Sequence, residues 1–465
     1  MTAPSFFPRS LRASFFALVL FLVPACATCA QDTATAPRKA TAKSQSEFLA
    51  ATDEVLKDMS EITGYKLKSP LKKSLRSREE IHAYVVRQMD DQKDAKERYA
   101  SARTAEAFGL LPKGFNLDAF LIDLLTEQIA GLYDPKTHEF YIADWIAVDD
   151  QRVVMAHELT HALQDQYFQI EIWEHAARPN DDAELARESV LEGSAMAAML
   201  EYILRDKGLK LRDLPEVDPS AFVGDLGDSP MLKKAPTFIK DTLMFPYFAG
   251  LTFSMDILKT ENWAGFSSVF ARPPATTQQI IHPEIYRAGK IPPPIALDFP
   301  ENIPGPAYLK LESNTMGEFG WKEILKQFLD EDRAKTLSSG WNGDVYATYE
   351  QKESKQTLLI NRIRFSSVTL ANMFFGQYSE ALEKKYPSRS HLSRHPDYFS
   401  FDTPLSSVFL RCAARECVTL EGGNTAMFRR WMEKLAWPPI PENYSNPATK
   451  PESDPDSSPD VQKTR

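Results

Sequence analysis

The chain has 465 residues, 43% of them hydrophobic and 25% charged, with a formal net charge of −10 at pH 7. That is enough apolar material for two or three packed domains, and it leaves no basic footprint of the kind a nucleic-acid partner needs. Beyond the first apolar run, no stretch approaches the length required to span a bilayer.

Residues 1–30 read as a secretory signal peptide. Arg9 and Arg12 precede the apolar run 13–23, and the small residues Ala25, Ala27, Thr28 and Ala30 follow, with cleavage expected after Ala30. Val23-Pro-Ala-Cys26 also resembles a bacterial lipobox, an alternative that would leave Cys26 as a lipid anchor. Either route exports the chain to a periplasmic or extracellular setting. Residues 31–45 are small and polar, as in a flexible linker. From Phe48 to Ala107, periodic Leu, Val, Ile and Tyr with charged faces predict helices. Residues 117–131 predict a further helix ending near Gly131. Asp134-Pro-Lys-Thr137 then supplies the turn of a hairpin between Leu132-Tyr133 and Phe140-Tyr-Ile142. His138, beside that turn, reads as a surface residue.

The next stretch, Met155-Ala-His-Glu-Leu-Thr-His-Ala-Leu-Gln-Asp165, carries the pattern H-E-x-x-H. Val153, Val154, Leu159, Leu163 and Tyr167 give it helical spacing, and Asp149 and Asp150 suit the helix start. Residues four apart sit one above the other on a helix, so His157 and His161 can both reach one zinc ion. Glu158, one step round, can meet a water on that ion and act as general base. Catalytic zinc usually takes three protein ligands, so a third is expected downstream. Residues 184–204, rich in Ala and Leu, free of proline and closed by Lys207-Gly208, predict the helix that carries it.

H-E-x-x-H followed on a second helix by E-G-x-A, here Glu192-Gly-Ser-Ala195, resembles the gluzincin zinc metallopeptidases, the thermolysin and aminopeptidase N group. The resemblance covers roughly residues 117–205. It implies Zn2+ as cofactor, Glu192 as third ligand, and hydrolysis of peptide bonds in a peptide or protein substrate. It also implies a mainly helical zincin-like catalytic domain, with a small sheet or hairpin above the motif helix whose edge could pair with an extended substrate. Small residues at Gly193 and Ala195 would let the second helix approach the first. Glu188, one turn earlier, is the rival, either as the ligand or as a carboxylate that orients a ligand histidine. Asp165 reads as a solvated aspartate, with orientation of a ligand as its alternative role. The chain lacks a G-A-M-E-N-type sequence and thermolysin's asparagine before the third glutamate, so the subgroup stays unassigned.

Downstream, residues 244–258 predict a helix opening behind Pro246, with Gly250 permitting close packing. The polar, proline-studded segment 272–286 reads as a loop. Peptidases of this class need a donor besides zinc for the oxyanion, and the resemblance points to a histidine or tyrosine beyond the third ligand. The candidates, in order, are His282, Tyr286 and Tyr247. Residues 291–300 read as a proline-rich connector and 316–329 as a helix with Glu318 on its surface. From Gly340 the expected order is strands at 345–350 and 357–365, a helix at 370–386, a strand pair around Cys412 and Cys417, and a helix at 424–436. The short spacer between the cysteines suits a local disulfide across a hairpin. Residues 437–465, rich in Pro, Ser and Asp, read as a disordered tail. The expected fold is therefore α+β, with a catalytic domain over 46–339 and a small α+β domain over 340–436. A non-catalytic envelope binding protein on a peptidase-like scaffold is the alternative function.

Overall fold

The computed structural model describes residues 42–89, 92–213, 229–300 and 302–441. The expected signal peptide, Cys26, the linker up to residue 41 and the tail beyond 441 lie outside the described residues.

Helix α1 (Ala42–Thr63) begins inside the span expected to be linker, and is followed by strand β1 (Lys72–Arg76) and helices α2 (Arg78–Met89), α3 (Gln92–Phe108) and α4 (Leu117–Gln128). The hairpin β2 (Gly131–Asp134) and β3 (Glu139–Ala143) leads to α5 (Arg152–Phe168), α6 (Ile170–His175) and α7 (Asp181–Leu204). Then come α8 (Pro230–Lys234), α9 (Thr237–Thr260), α10 (Trp263–Phe266), α11 (Ser268–Ala271), α12 (Thr277–Ile281) and α13 (Pro283–Arg287). The last part comprises β4 (Tyr308–Asn314), α14 (Gly317–Lys326), α15 (Glu331–Ser338), β5 (Trp341–Gln351), β6 (Thr357–Phe365), α16 (Val368–Lys385), β7 (Ser390–Arg394), β8 (Tyr398–Asp402), β9 (Ser407–Ala413), β10 (Glu416–Gly423) and α17 (Thr425–Lys434). The fold is α+β.

Helix α5 is buried on every side from Val154 to Asp165, enclosed by α1, α7 and the hairpin. A helix hidden all round needs no polar face, which is why small, apolar and chemically special residues can fill it. Helix α7 starts at Asn180, whose side chain accepts the Ala183 N–H, and Asp181, Asp182 and Glu184 occupy the first turn, where the helix dipole favours negative charge. Its Gly193 does permit a close approach, but by α9 rather than α5: a Cβ there would lie 2.0 Å from the Gly250 carbonyl carbon. Helix α9 also departs from expectation, beginning at Thr237 and running through Pro246 rather than opening behind it. The proline ring removes the N–H that would meet the Thr242 carbonyl, and burial of Phe245, Pro246 and Tyr247 outweighs that loss.

A three-stranded sheet has the order β1-β3-β2, with β1 parallel and β2 antiparallel to β3, so β2 is an edge beside α5. The second sheet has the order β4-β5-β6-β10-β9-β8-β7, all antiparallel. Alternation along its strands sends Leu359, Ile363, Val408 and Leu410 into one core and Leu358, Ile360, Phe409, Val418 and Leu420 into another. The first core is continuous from Phe48 through the helices to Phe365, Phe374 and Phe399, and the second lies under Phe428 and Trp431 of α17.

Two boundaries differ from the sequence reading. Strand β4 places the start of the sheet unit near residue 308 rather than 340, and the shared core joins it to the helices. At the other end, Trp437 and Ile440 pack on the second core and the Pro438 carbonyl accepts Arg411 Nη1, so the chain stays packed past the expected tail start at 437. Cys412 and Cys417 form the expected disulfide, directly opposite each other on β9 and β10. Among the described residues, no helix is long and apolar enough to cross a membrane.

Candidate metal centre

Helices α5 and α7 bring His157, His161 and Glu192 together. His157 Nε2 lies 3.0 Å from Glu192 Oε2, His161 Nε2 lies 3.1 Å from His157 Nε2, and His161 Nε2 lies 3.6 Å from Glu192 Oε2. Ligands at 2.0–2.1 Å in a tetrahedral set stand roughly 3.4 Å apart, so the three atoms are spaced as zinc ligands are. All three side chains are buried, and their ligand atoms fall within 4.8 Å of one another. Glu192 Oε1 and His157 Nδ1 have no hydrogen-bond partner among the described residues. A buried carboxylate facing two imidazole nitrogens, with a lone pair to spare, fits a divalent cation.

The surroundings hold these groups in place. His161 Nδ1 is 3.3 Å from Gln164 Oε1, and the Gln164 amide donates to Ser194 Oγ at 2.8 Å, which ties α5 to α7 next to the cluster. Glu158 Oε2 accepts the backbone N–H of Tyr133, on edge strand β2, at 2.7 Å, while its Oε1 has no partner among the described residues. Tyr247 of α9 lays its ring near-parallel to that of His157, with centroids 6.1 Å apart.

Burial holds the His157 imidazole below its usual pKa, which favours the neutral form a metal ligand requires. Burial by itself would raise Glu192, but the two histidines bring it down to about 2, so it is a carboxylate. Glu158 is pushed well above the carboxylate range by burial and then by the charge of Glu192, with the Tyr133 N–H opposing. Burial, followed by the carboxylates of Glu192, Glu158 and Glu188, raises Tyr247 and keeps its phenol protonated.

The other expected site residues fall elsewhere. His282 sits 2.8 Å from Glu318 Oε1, and the Tyr286 hydroxyl donates to the Arg272 carbonyl while its ring packs edge-on to Phe253. Both belong to the turn of short helices α12 and α13, where a loop was expected, and neither is among the converging groups. Glu318, expected on the surface, is 3% exposed, and Asp165, expected in solvent, is buried at 6%. Asp165 does not orient a ligand histidine; it accepts the Tyr133 hydroxyl. The side chain that meets a histidine of the cluster is instead Gln164, one turn from His161, a spacing visible in the sequence. Glu188 is buried beside Tyr247 but is not one of the three converging groups. His138 is exposed, as expected, although it bonds to Asp165.

Residues 307–425 match a family described as a domain of unknown function, DUF8575. That span covers the seven-stranded sheet and contains none of the residues of the metal centre. No curated protein and no solved structure matches the chain.

Proposed function

We propose that this chain is an exported zinc-dependent peptidase that hydrolyses peptide bonds in a peptide or protein substrate. The observation that carries this reading is the convergence of His157, His161 and Glu192 at ligand spacing, with Glu158 next to His157 on the same helix, held by the Tyr133 N–H and near enough to Glu192 to feel its charge. His157, His161 and Glu192 would hold the zinc, which when bound would supply a Lewis acid for the scissile carbonyl and lower the pKa of its water towards about 7. Glu158 takes the proton of the attacking water on Oε1, while Oε2 stays held by the Tyr133 N–H, and then delivers it to the leaving amine. Tyr247, protonated and beside His157, donates to the developing oxyanion in place of His282 or Tyr286. Residues 1–30, read from the sequence as a signal peptide, support a periplasmic or extracellular location, with Cys26 as the lipid-anchor alternative.

A second reading, an envelope binding protein in which zinc is structural, is favoured by the burial of His157, Glu158, His161 and Glu192, all at most 1% exposed. An intact general base argues against it, because a structural zinc has no use for one. Zinc per chain, measured on untagged mature protein, separates the outcomes. One zinc in the wild type, lost in H161A and E192A but kept in E188A, is expected. With E158Q, zinc is expected to stay while hydrolysis of an unfolded protein substrate falls by about 10³-fold or more. A folded wild type that takes up no zinc would sink the peptidase reading. Zinc binding in a protein whose properties E158Q leaves unchanged would favour the structural one.

A further inference from the structure

Tyr133 touches the centre at one end and leaves it at the other. Its backbone N–H holds Glu158 Oε2 at 2.7 Å, and its hydroxyl donates to Asp165 Oδ2 at 2.7 Å. Glu158 and Asp165 are seven residues apart on α5, two helical turns, so they share the face that meets β2. His138, in the hairpin turn with φ of 51°, adds a contact of 2.9 Å from Nδ1 to the same Asp165 oxygen. The other oxygen, Oδ1, accepts the Ile170 N–H at the end of α5. The edge strand is thus fastened to the motif helix at two points, and one of them is the base itself.

We propose that Asp165 and the Tyr133 hydroxyl are positioning groups for Glu158: they fix strand β2 so that its Tyr133 N–H presents one carboxylate oxygen and leaves Oε1 for the reacting proton. This rests on the peptidase reading. The plainer alternative is that Asp165 only closes the turn between α5 and α6 through Ile170. The two differ because the hydroxyl of Tyr133 has no part in that turn. An added freedom of the base of even 1 Å is enough to cost up to about a hundredfold in rate.

The test uses the full mature chain as wild type, Y133F, D165N and the double variant, each loaded with zinc. Y133F keeps the ring and the backbone N–H and removes only the hydroxyl. Zinc content and thermal midpoint are expected to stay close to wild type in Y133F. The kcat on an unfolded protein substrate falls about ten- to hundredfold with KM within about twofold, and the double variant loses no more than the worse single, because both act through one link. A readout independent of turnover is binding of acetohydroxamate, whose proton needs a well-placed carboxylate, against azide, which needs only the metal. Y133F is expected to weaken the hydroxamate about tenfold and leave azide unchanged. Wild-type hydroxamate affinity in Y133F, or additive losses in the double variant, would overturn the proposal while leaving the peptidase reading intact. Absence of zinc from the folded wild type would remove both.

Discussion

Two buried glutamates show how differently the two halves of this molecule treat a charge. Glu421, on strand β10, is 1% exposed and is met by the Lys385 ammonium and by the hydroxyls of Tyr386 at 2.9 Å and Tyr378 at 3.5 Å. Glu192, on helix α7, is equally buried and has the Tyr247 phenol beside it, yet the groups able to carry a positive charge against it are the imidazoles of His157 and His161, where that charge is optional. The sheet carries its own permanent counter-ion for its carboxylate. The helical body leaves one oxygen of its carboxylate without a hydrogen-bond partner among the described residues, at the place where a cation from solution would fit. A closed ion pair of the first kind serves folding, whereas an incomplete one is costly unless something external completes it.

Breaking the first pair and the second should therefore read out in different experiments. K385M leaves Glu421 buried without its cation and is expected to cost about 3–5 kcal/mol, seen as a lower chemical-denaturation midpoint with zinc content unchanged. E192Q should do the reverse, losing zinc while moving the midpoint of the metal-free protein by less than K385M does. A similar loss of stability from both would erase the distinction.

The glycines sharpen the same contrast. Gly193 faces Gly250 so closely that G193A must push α7 and α9 apart, at a cost of about 3 kcal/mol with accompanying loss of zinc, because Glu192 is its neighbour. Gly376, on the sheet-side helix α16, has open space where a methyl group would point, with nothing within 4 Å, and G376A is expected to raise stability by about 0.5–1 kcal/mol. Denaturant midpoints of the two variants should move in opposite directions.

The smallest effect concerns the seam between the halves. Asp182 of α7 accepts the Thr277 N–H and hydroxyl, with Gly317, Glu318 and Asp344 of the sheet unit nearby. Burial pushes it from 3.8 up to about 8, against the Thr277 bonds and helped by Asp344 and Glu318. Because the folded form holds this proton more tightly than the unfolded chain, the contribution is complete below about pH 4 and is lost as pH rises through about 8. D182N should flatten that decline. An unchanged slope of midpoint against pH between about 4 and 8 would remove Asp182 as its source.

Much of this was legible in the order of residues. The H-E-x-x-H spacing, the proline-free helix with Glu192 and the hairpin before Asp149 all follow from local periodicity and turn chemistry, which act within a few residues. The paired cysteines follow from their spacing across a turn in the same way. Strand β1 was hidden because Lys72-Lys-Ser-Leu-Arg76 is too charged to look like a strand; it forms only because β3 offers a partner. Strand β4 was hidden in the same way, since its partner β5 begins after two intervening helices. His282 and Tyr286 looked suitable by type and position, but residue type says nothing about which way a turn faces.

What the sequence determined by itself was thus the periodic part: two helices, one placing His157 and His161 on one face at fixed rise per residue and the other carrying Glu192. What only the tertiary structure decided was every contact between elements distant in the chain. Tyr247 reaches the centre because Gly250 lets α9 press against α7, and Tyr133 reaches Glu158 because the β2 edge lies along α5. Such contacts depend on close packing among many side chains at once, which no local pattern encodes.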